Sequence, residues 1–187
     1  MKKVEYLFER TELADLDYEA LLNFKAVYLK LLNDNPFPDP PNSGAFHEII
    51  NYLKRKDQSN PLKIGAYENI TPFEAANRIA SDLIIINGLL QLVKKNEDFK
   101  EALFTLRLGT THLKEKGDFT ITLNGKELEG EAFNVAPSFL KQKMSKTKKK
   151  WKDNQQLKYI LVNAEAFEFI GASKIDERVF KVENWHE

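Results

Sequence analysis

The chain has 187 residues, 42% hydrophobic, 11% aromatic and 30% charged, which suffices for one globular domain with a buried core and excludes disordered or collagen-like chains. Its 28 basic and 28 acidic side chains cancel to a formal net charge of zero, so a nucleic-acid partner has to be held by a local patch and a basic coat protein is not expected. The absence of cysteine removes disulfide frameworks, thiolate zinc sites and cysteine nucleophiles, and fits a reducing compartment.

Near the N-terminus Glu5, Glu9 and Arg10 interrupt what an export signal would need. From Asp17 to Leu32 the apolar positions Tyr18, Leu21, Leu22, Val27, Tyr28, Leu29 and Leu32 recur at helical spacing, with Asp15 or Asp17 as N-cap. Residues 33–42 carry four prolines and form a loop. A second helix follows, with Phe46, Ile49, Ile50 and Leu53 on one face, so residues 1–65 read as a mostly helical region. Thr71, Pro72 and Glu74 form a capping box with proline in the first turn, opening a long helix that ends near Asn96. Its core face is read through Ala76, Ile79, Leu83, Ile86, Leu90 and Val93, with Glu74, Arg78 and Asp82 pairing along the polar side. The most apolar stretch, Leu83 to Val93, is well short of the roughly 20 residues needed to span a bilayer. A soluble, cytoplasmic protein with no membrane partner is expected.

Three strand-like segments come next, Phe104 to Leu108, Asp118 to Leu123 and Lys126 to Val135, the last two joined by Asn124-Gly125, a strong hairpin signal. Pro137 and Ser138 open a lysine-rich helix to about Trp151, and Tyr159 to Val162 has strand length. The remainder, 164–187, is a C-terminal extension with alternation but unclear partners. The whole reads as a single α/β domain with a mixed central sheet, in helix-strand-strand-strand-helix-strand order over 71–163, flanked by helices.

If Asn124 and Gly125 make a two-residue type I′ turn, Leu123 faces Lys126 and Asp118 lands opposite Glu131. Directly opposed Cβ atoms lie about 4.5–5.5 Å apart, and like charges there repel unless neutralised. A divalent cation would neutralise them, and two hard oxygen donors suit Mg²⁺ or Mn²⁺ rather than zinc, which points to metal-assisted phosphodiester hydrolysis. The alternation of Glu127, Glu129 and Glu131 on a strand is most often the pattern of a solvated outer sheet face.

The helix, three-strand meander, helix and strand, with Asp118 on the second strand and Gly130-Glu131-Ala132-Phe133 on the third, resemble the core of the PD-(D/E)XK nuclease superfamily, the fold of many restriction endonucleases. The resemblance covers about Thr71 to Val162. It implies a restriction-endonuclease-like fold in which Asp118 and Glu131 bind metal and a lysine two positions after the glutamate polarises the attacking water. Here Gly117 stands at the family's proline position and Phe133 at its lysine position. Migration of that lysine into the next helix occurs in parts of the superfamily. Along that helix Leu140, Met144, Thr147 and Trp151 define an apolar stripe that includes Lys143, which either snorkels or meets the hairpin carboxylates. Lys141, Lys146, Lys148, Lys149 and Lys150, with Lys152 beyond them, make either a phosphate-contacting surface or a solvated helix face. Glu74 matches a place where some members keep an extra acidic residue, although its capping box already accounts for it.

His47, His112 and His186 have no metal-ligand spacing, and neither a phosphate-binding glycine loop nor a Gly-x-Ser-x-Gly elbow is present. Two expectations follow. The first is a Mg²⁺- or Mn²⁺-dependent phosphodiesterase acting on DNA, with catalytic Asp118, Glu131 and Lys143 and the Ala132 carbonyl in the metal shell. As a restriction-type enzyme it would be a homodimer, because cutting both strands with one site per chain calls for two-fold symmetry. The second is a catalytically inactive nuclease-fold binding or regulatory module, a partner subunit or an immunity-type protein.

Overall fold

Thr71 caps the longest helix as its sequence dictates: its hydroxyl accepts the Glu74 N–H, and the Glu74 carboxylate accepts the Thr71 N–H at 3.3 Å. In the structure, a computed structural model that describes residues 4–8, 10–55, 61–109, 116–152, 156–170 and 176–186, the elements in chain order begin with strands β1 (Glu5–Tyr6) and β2 (Glu12–Leu16). Helices α1 (Tyr18–Asp34) and α2 (Phe46–Lys54), strands β3 (Lys63–Ile64) and β4 (Tyr67–Glu68), and the long helix α3 (Pro72–Lys95) follow. After a 3₁₀ turn at Glu97–Glu101 come β5 (Leu103–Arg107), β6 (Phe119–Leu123), β7 (Lys126–Phe133), α4 (Pro137–Lys150), β8 (Leu157–Asn163), α5 (Ala164–Phe167) and β9 (Val179–Val182).

The fold is mixed α/β. A six-stranded sheet has the order β2-β5-β6-β7-β8-β9, antiparallel from β2 to β7 and parallel from β7 to β9. The parallel step from β7 to β8 requires a crossover, which α4 supplies. A small second sheet pairs β1, β4 and β3. On one face, Phe104, Leu106, Phe119, Ile121 and Leu161 join the apolar side chains of α1 and α3 in the main core. On the other, Phe133, Leu157, Ile160 and Val162 pack beneath Leu140 and Trp151, at α4 and its C-cap, and Ala166 of α5. Among the described residues no helix is long and apolar enough to cross a membrane.

Several expectations change. The N-terminal 65 residues hold strands as well as helices, and β2 is an edge of the main sheet, paired antiparallel with β5. Its register shifts between Leu13 and Leu16, where Asp15 adopts φ 57°, so the period-2 pattern that would betray a strand is broken. The C-terminal extension contributes β9, parallel to β8. On α3 the inward alanine is Ala75, whereas Ala76 is exposed.

Asp82 departs furthest from its expected place. Instead of pairing along a polar face it is completely buried, accepting from the Tyr28 hydroxyl at 2.7 Å, from the Tyr67 hydroxyl and from the Gly109 N–H at 2.8 Å. It therefore ties α1, β4 and the end of β5 to α3. Burial pushes its pKa up from 3.8 to about 6 against the lowering effect of these donors and of Arg78. A carboxyl whose folded pKa is raised stabilises the fold fully below its unfolded pKa, and that contribution is lost as pH rises through the folded value. The stability of the wild type relative to Asp82→Asn is accordingly expected to fall by roughly 2 kcal/mol between pH 4 and pH 7, measured by urea melts of both proteins across that range.

Candidate active site

Asn124 and Gly125 both take positive φ, 51° and 72°, as a type I′ turn requires. The resulting register pairs Leu123 with Lys126 and Phe119 with Gly130, so the next step outward sets Asp118 opposite Glu131. Asp118 lies just before β6, and its Oδ2 accepts the Ala132 N–H at 2.8 Å. Glu131, 5% exposed, accepts at Oε1 from Lys150 Nζ at 2.5 Å and from Trp151 Nε1 at 2.8 Å. Burial, and then the charge of Glu131, raise the Asp118 pKa, while the Ala132 N–H and the ammoniums of Lys143 and Lys150 act to lower it.

Both lysines come from α4. Seven residues separate Lys143 from Lys150, close to two helical turns, so one helix face delivers them together. Phe133, at the position where the resemblance expected a lysine, is fully buried in the core beneath α4. Lys143 Nζ stands 5.2 Å above its ring, a favourable cation–π separation. The direct partner of Glu131 is Lys150, which sequence reasoning had placed among the phosphate contacts. Its Nζ also donates to the Lys116 carbonyl at 3.3 Å and lies 5.1 Å over the Trp151 ring. The apolar arc of α4 could not reveal this, because Lys150 is the last residue of the helix and its stem reaches back to the sheet.

The glutamate alternation is split by the structure. Glu127 is exposed and paired with Lys116 at 2.7 Å, as on a solvated face, whereas Glu129 is completely buried and Glu131 nearly so. Glu129 accepts the Gly117 N–H at 2.8 Å and the Thr120 hydroxyl at 3.0 Å, with Lys116 Nζ at 3.2 Å and Arg107 Nη1 at 3.7 Å. Arg107 in turn donates to the Gly117 carbonyl, the Thr120 hydroxyl and Glu12. This buried network grips both backbone polar groups of Gly117, the residue before Asp118, and so fixes where the Asp118 carboxylate begins. Sequence alone assigns no role to Arg107 and places Glu129 only in the alternation of the strand. The available signal was their position on the same strand parity as Thr105, Thr120 and Glu131, opposite the apolar face. A Cβ at Gly117 would come 2.1 Å from the Gly130 carbonyl oxygen, so the proline of the resemblance has no room here.

The other expected site residues do not join the cluster. Glu74 is engaged in the α3 cap. Lys148 pairs with Asp176 at 3.0 Å, a carboxylate that the Arg178 guanidinium, and then Lys148, hold well below its ordinary range. Lys141, Lys146 and Lys149 are exposed along α4, without an ion pair among the described residues. His47 is exposed beside Glu48, His186 packs edge-on against Trp185, and His112 lies outside the described residues. Among the described residues no group of three or more His, Cys, Asp or Glu side chains converges as a ready metal site. Asp118 and Glu131 nevertheless provide two hard carboxylate donors on one sheet face whose mutual repulsion a divalent cation would relieve, which is a donor set that fits Mg²⁺ or Mn²⁺. Compared with known proteins, the chain matches no family model, no curated protein and no solved structure.

Proposed function

We propose that the chain is a metal-dependent phosphodiesterase acting on DNA, built on a restriction-endonuclease-like core of the PD-(D/E)XK type. The observation that carries the reading is the meeting of Asp118 and Glu131 with two ammoniums, one hydrogen-bonded to Glu131 and one over Phe133, on a sheet whose meander and parallel crossover follow the resembled order. Asp118 and Glu131 would hold Mg²⁺ or Mn²⁺, which when bound supplies Lewis-acid polarisation of the phosphate and of an attacking water. Lys150, beside Glu131, is placed to donate to that water or to the phosphoryl oxygens as negative charge develops on them. Lys143 adds a second positive charge across the face from Asp118. With two carboxylates and two ammoniums the site is electrically balanced, so a bound divalent ion would leave a net positive pocket for a phosphodiester anion. Lys141, Lys146 and Lys149 along α4 are suited to sequence-independent phosphate contacts, and cutting both strands of a duplex would call for a two-fold dimer.

A second reading rests on Glu131 itself. Lys150 and Trp151 both donate to its Oε1, an arrangement that also satisfies a buried carboxylate in a catalytically inactive binding module. Conversion of supercoiled plasmid to nicked or linear form in Mg²⁺ and in Mn²⁺ separates the two. The wild type is expected to cut, Lys150→Gln to lose about a hundredfold in rate and Lys143→Gln about tenfold. No cleavage of DNA or RNA under either metal, with no metal-dependent shift in melting, would overturn the phosphodiesterase reading and favour the binding module.

A further inference from the structure

Helix α4 has a second working face. Away from the carboxylates it borders a groove of about 780 Å³, within the size range of sites that take organic ligands. The floor is apolar, made by Leu140, Met144, Ile170 and Val179, and the rim is cationic, made by Lys141, Lys148, Lys149 and Lys152. Phe169, also at the groove, is 75% exposed, which leaves its ring face open to stacking beside the apolar floor. Lys148 is compensated by Asp176, whereas Lys141 and Lys149 have no ion pair among the described residues, so the rim carries surplus positive charge.

From this combination we infer that the groove binds unpaired nucleotides of a substrate strand, bases on the apolar floor and against Phe169, phosphates on the lysine rim. The inference rests on the phosphodiesterase reading and deepens it by naming the substrate class: DNA with a single-stranded overhang or branch. A duplex buries its base faces by stacking and offers an apolar floor nothing, while an unpaired strand presents both a base face and an anionic backbone at every step. Lysines, compact charges on flexible stems, suit phosphates approached without sequence preference. The same helix presents Lys143 and Lys150 to the carboxylates on one side and this rim on the other, so site and groove flank a single helix.

The test is fluorescence anisotropy of the full chain in EDTA, so that no cleavage intervenes, with a labelled duplex bearing a thymidine overhang and a longer blunt duplex of equal phosphate count. The overhang substrate is expected to bind about tenfold tighter. Phe169→Ala and Ile170→Asp, checked for unchanged melting, should abolish that preference, and Lys141→Gln with Lys149→Gln should reduce the salt slope of binding by about 1.4. Equal affinity for the two DNAs, or a preference that survives both groove variants, overturns the inference, as does capture of an acidic amphipathic peptide in the groove with no overhang preference. Asp118→Asn should keep the preference. Cleavage without overhang preference therefore removes the groove inference alone, and overhang preference without cleavage removes the phosphodiesterase reading alone.

Discussion

Asp118→Asn is expected to lower metal-dependent cleavage by at least about a thousandfold while leaving the fold intact or slightly more stable. The amide oxygen can still accept the Ala132 N–H that now ends on Oδ2, so the local hydrogen bonding survives. What disappears is a half-buried negative charge facing Glu131. Burial and that neighbour raise the Asp118 pKa, and a raised carboxyl costs stability once pH exceeds its folded value, so removing the charge relieves the apo protein at neutral pH. The same charge is what a divalent cation would use. If the wild type holds a divalent cation as proposed, a metal concentration tenfold above its Kd would stabilise the folded state by about 1.4 kcal/mol, about 3–6 °C in melting temperature for a chain of this size. For Asp118→Asn the metal shift should vanish. Differential scanning calorimetry with and without Mg²⁺ measures both effects, and a wild type and variant with equal metal shifts would sink the assignment of Asp118 as a ligand.

The second large effect lies behind the site. Arg107→Met is expected to destabilise the protein by about 3 kcal/mol, or about 6–12 °C, and to slow cleavage as well. Arg107 is only 6% exposed and Glu129 is fully buried; without the guanidinium, Glu129 retains Lys116, but the Gly117 carbonyl and the Thr120 hydroxyl lose their shared donor. A buried carboxylate that keeps only Lys116 as its cation is under-compensated and costs more than a buried ion pair contributes, so Arg107→Met with Glu129→Leu should recover part of the loss in stability. It should not recover the rate, because both grips on Gly117 are then gone. A chemical denaturation cycle over the four proteins reads the coupling, and additivity within about 0.5 kcal/mol would show that the two residues act independently.

Much of the framework is written in local signals. Asp17 caps α1 by accepting the Ala20 N–H, and the Thr71 box opens α3. The Asn124-Gly125 turn sets a register from which the Asp118–Glu131 apposition follows by counting. These succeed because caps and tight turns are decided by a few adjacent residues. The misses share the opposite cause. Asp82 has the spacing of a helix-surface ion pair, and only Tyr28 and Tyr67, distant in sequence, reveal it as a buried tie. Glu129 and Glu131 have the alternation of a wet sheet face, and only α4 and Arg107 closing over them say otherwise. Lys150 escapes helical-wheel geometry, which carries no information about where a long side chain goes once its helix ends.

That placement has a kinetic consequence. Helix ends fray, and the last turn of α4 holds Lys148, Lys149 and Lys150, three cations favoured there by the helix dipole. An opening of that turn would withdraw the Lys150 ammonium from Glu131 and leave Lys143 alone to offset the two carboxylates. Hydrogen exchange at the Trp151 amide, which donates to the Thr147 carbonyl at 3.0 Å, would thus time the assembly and disassembly of the acidic pair and its cation. Sequence changes that wind or loosen this one turn would tune how long the site stays complete without touching either carboxylate.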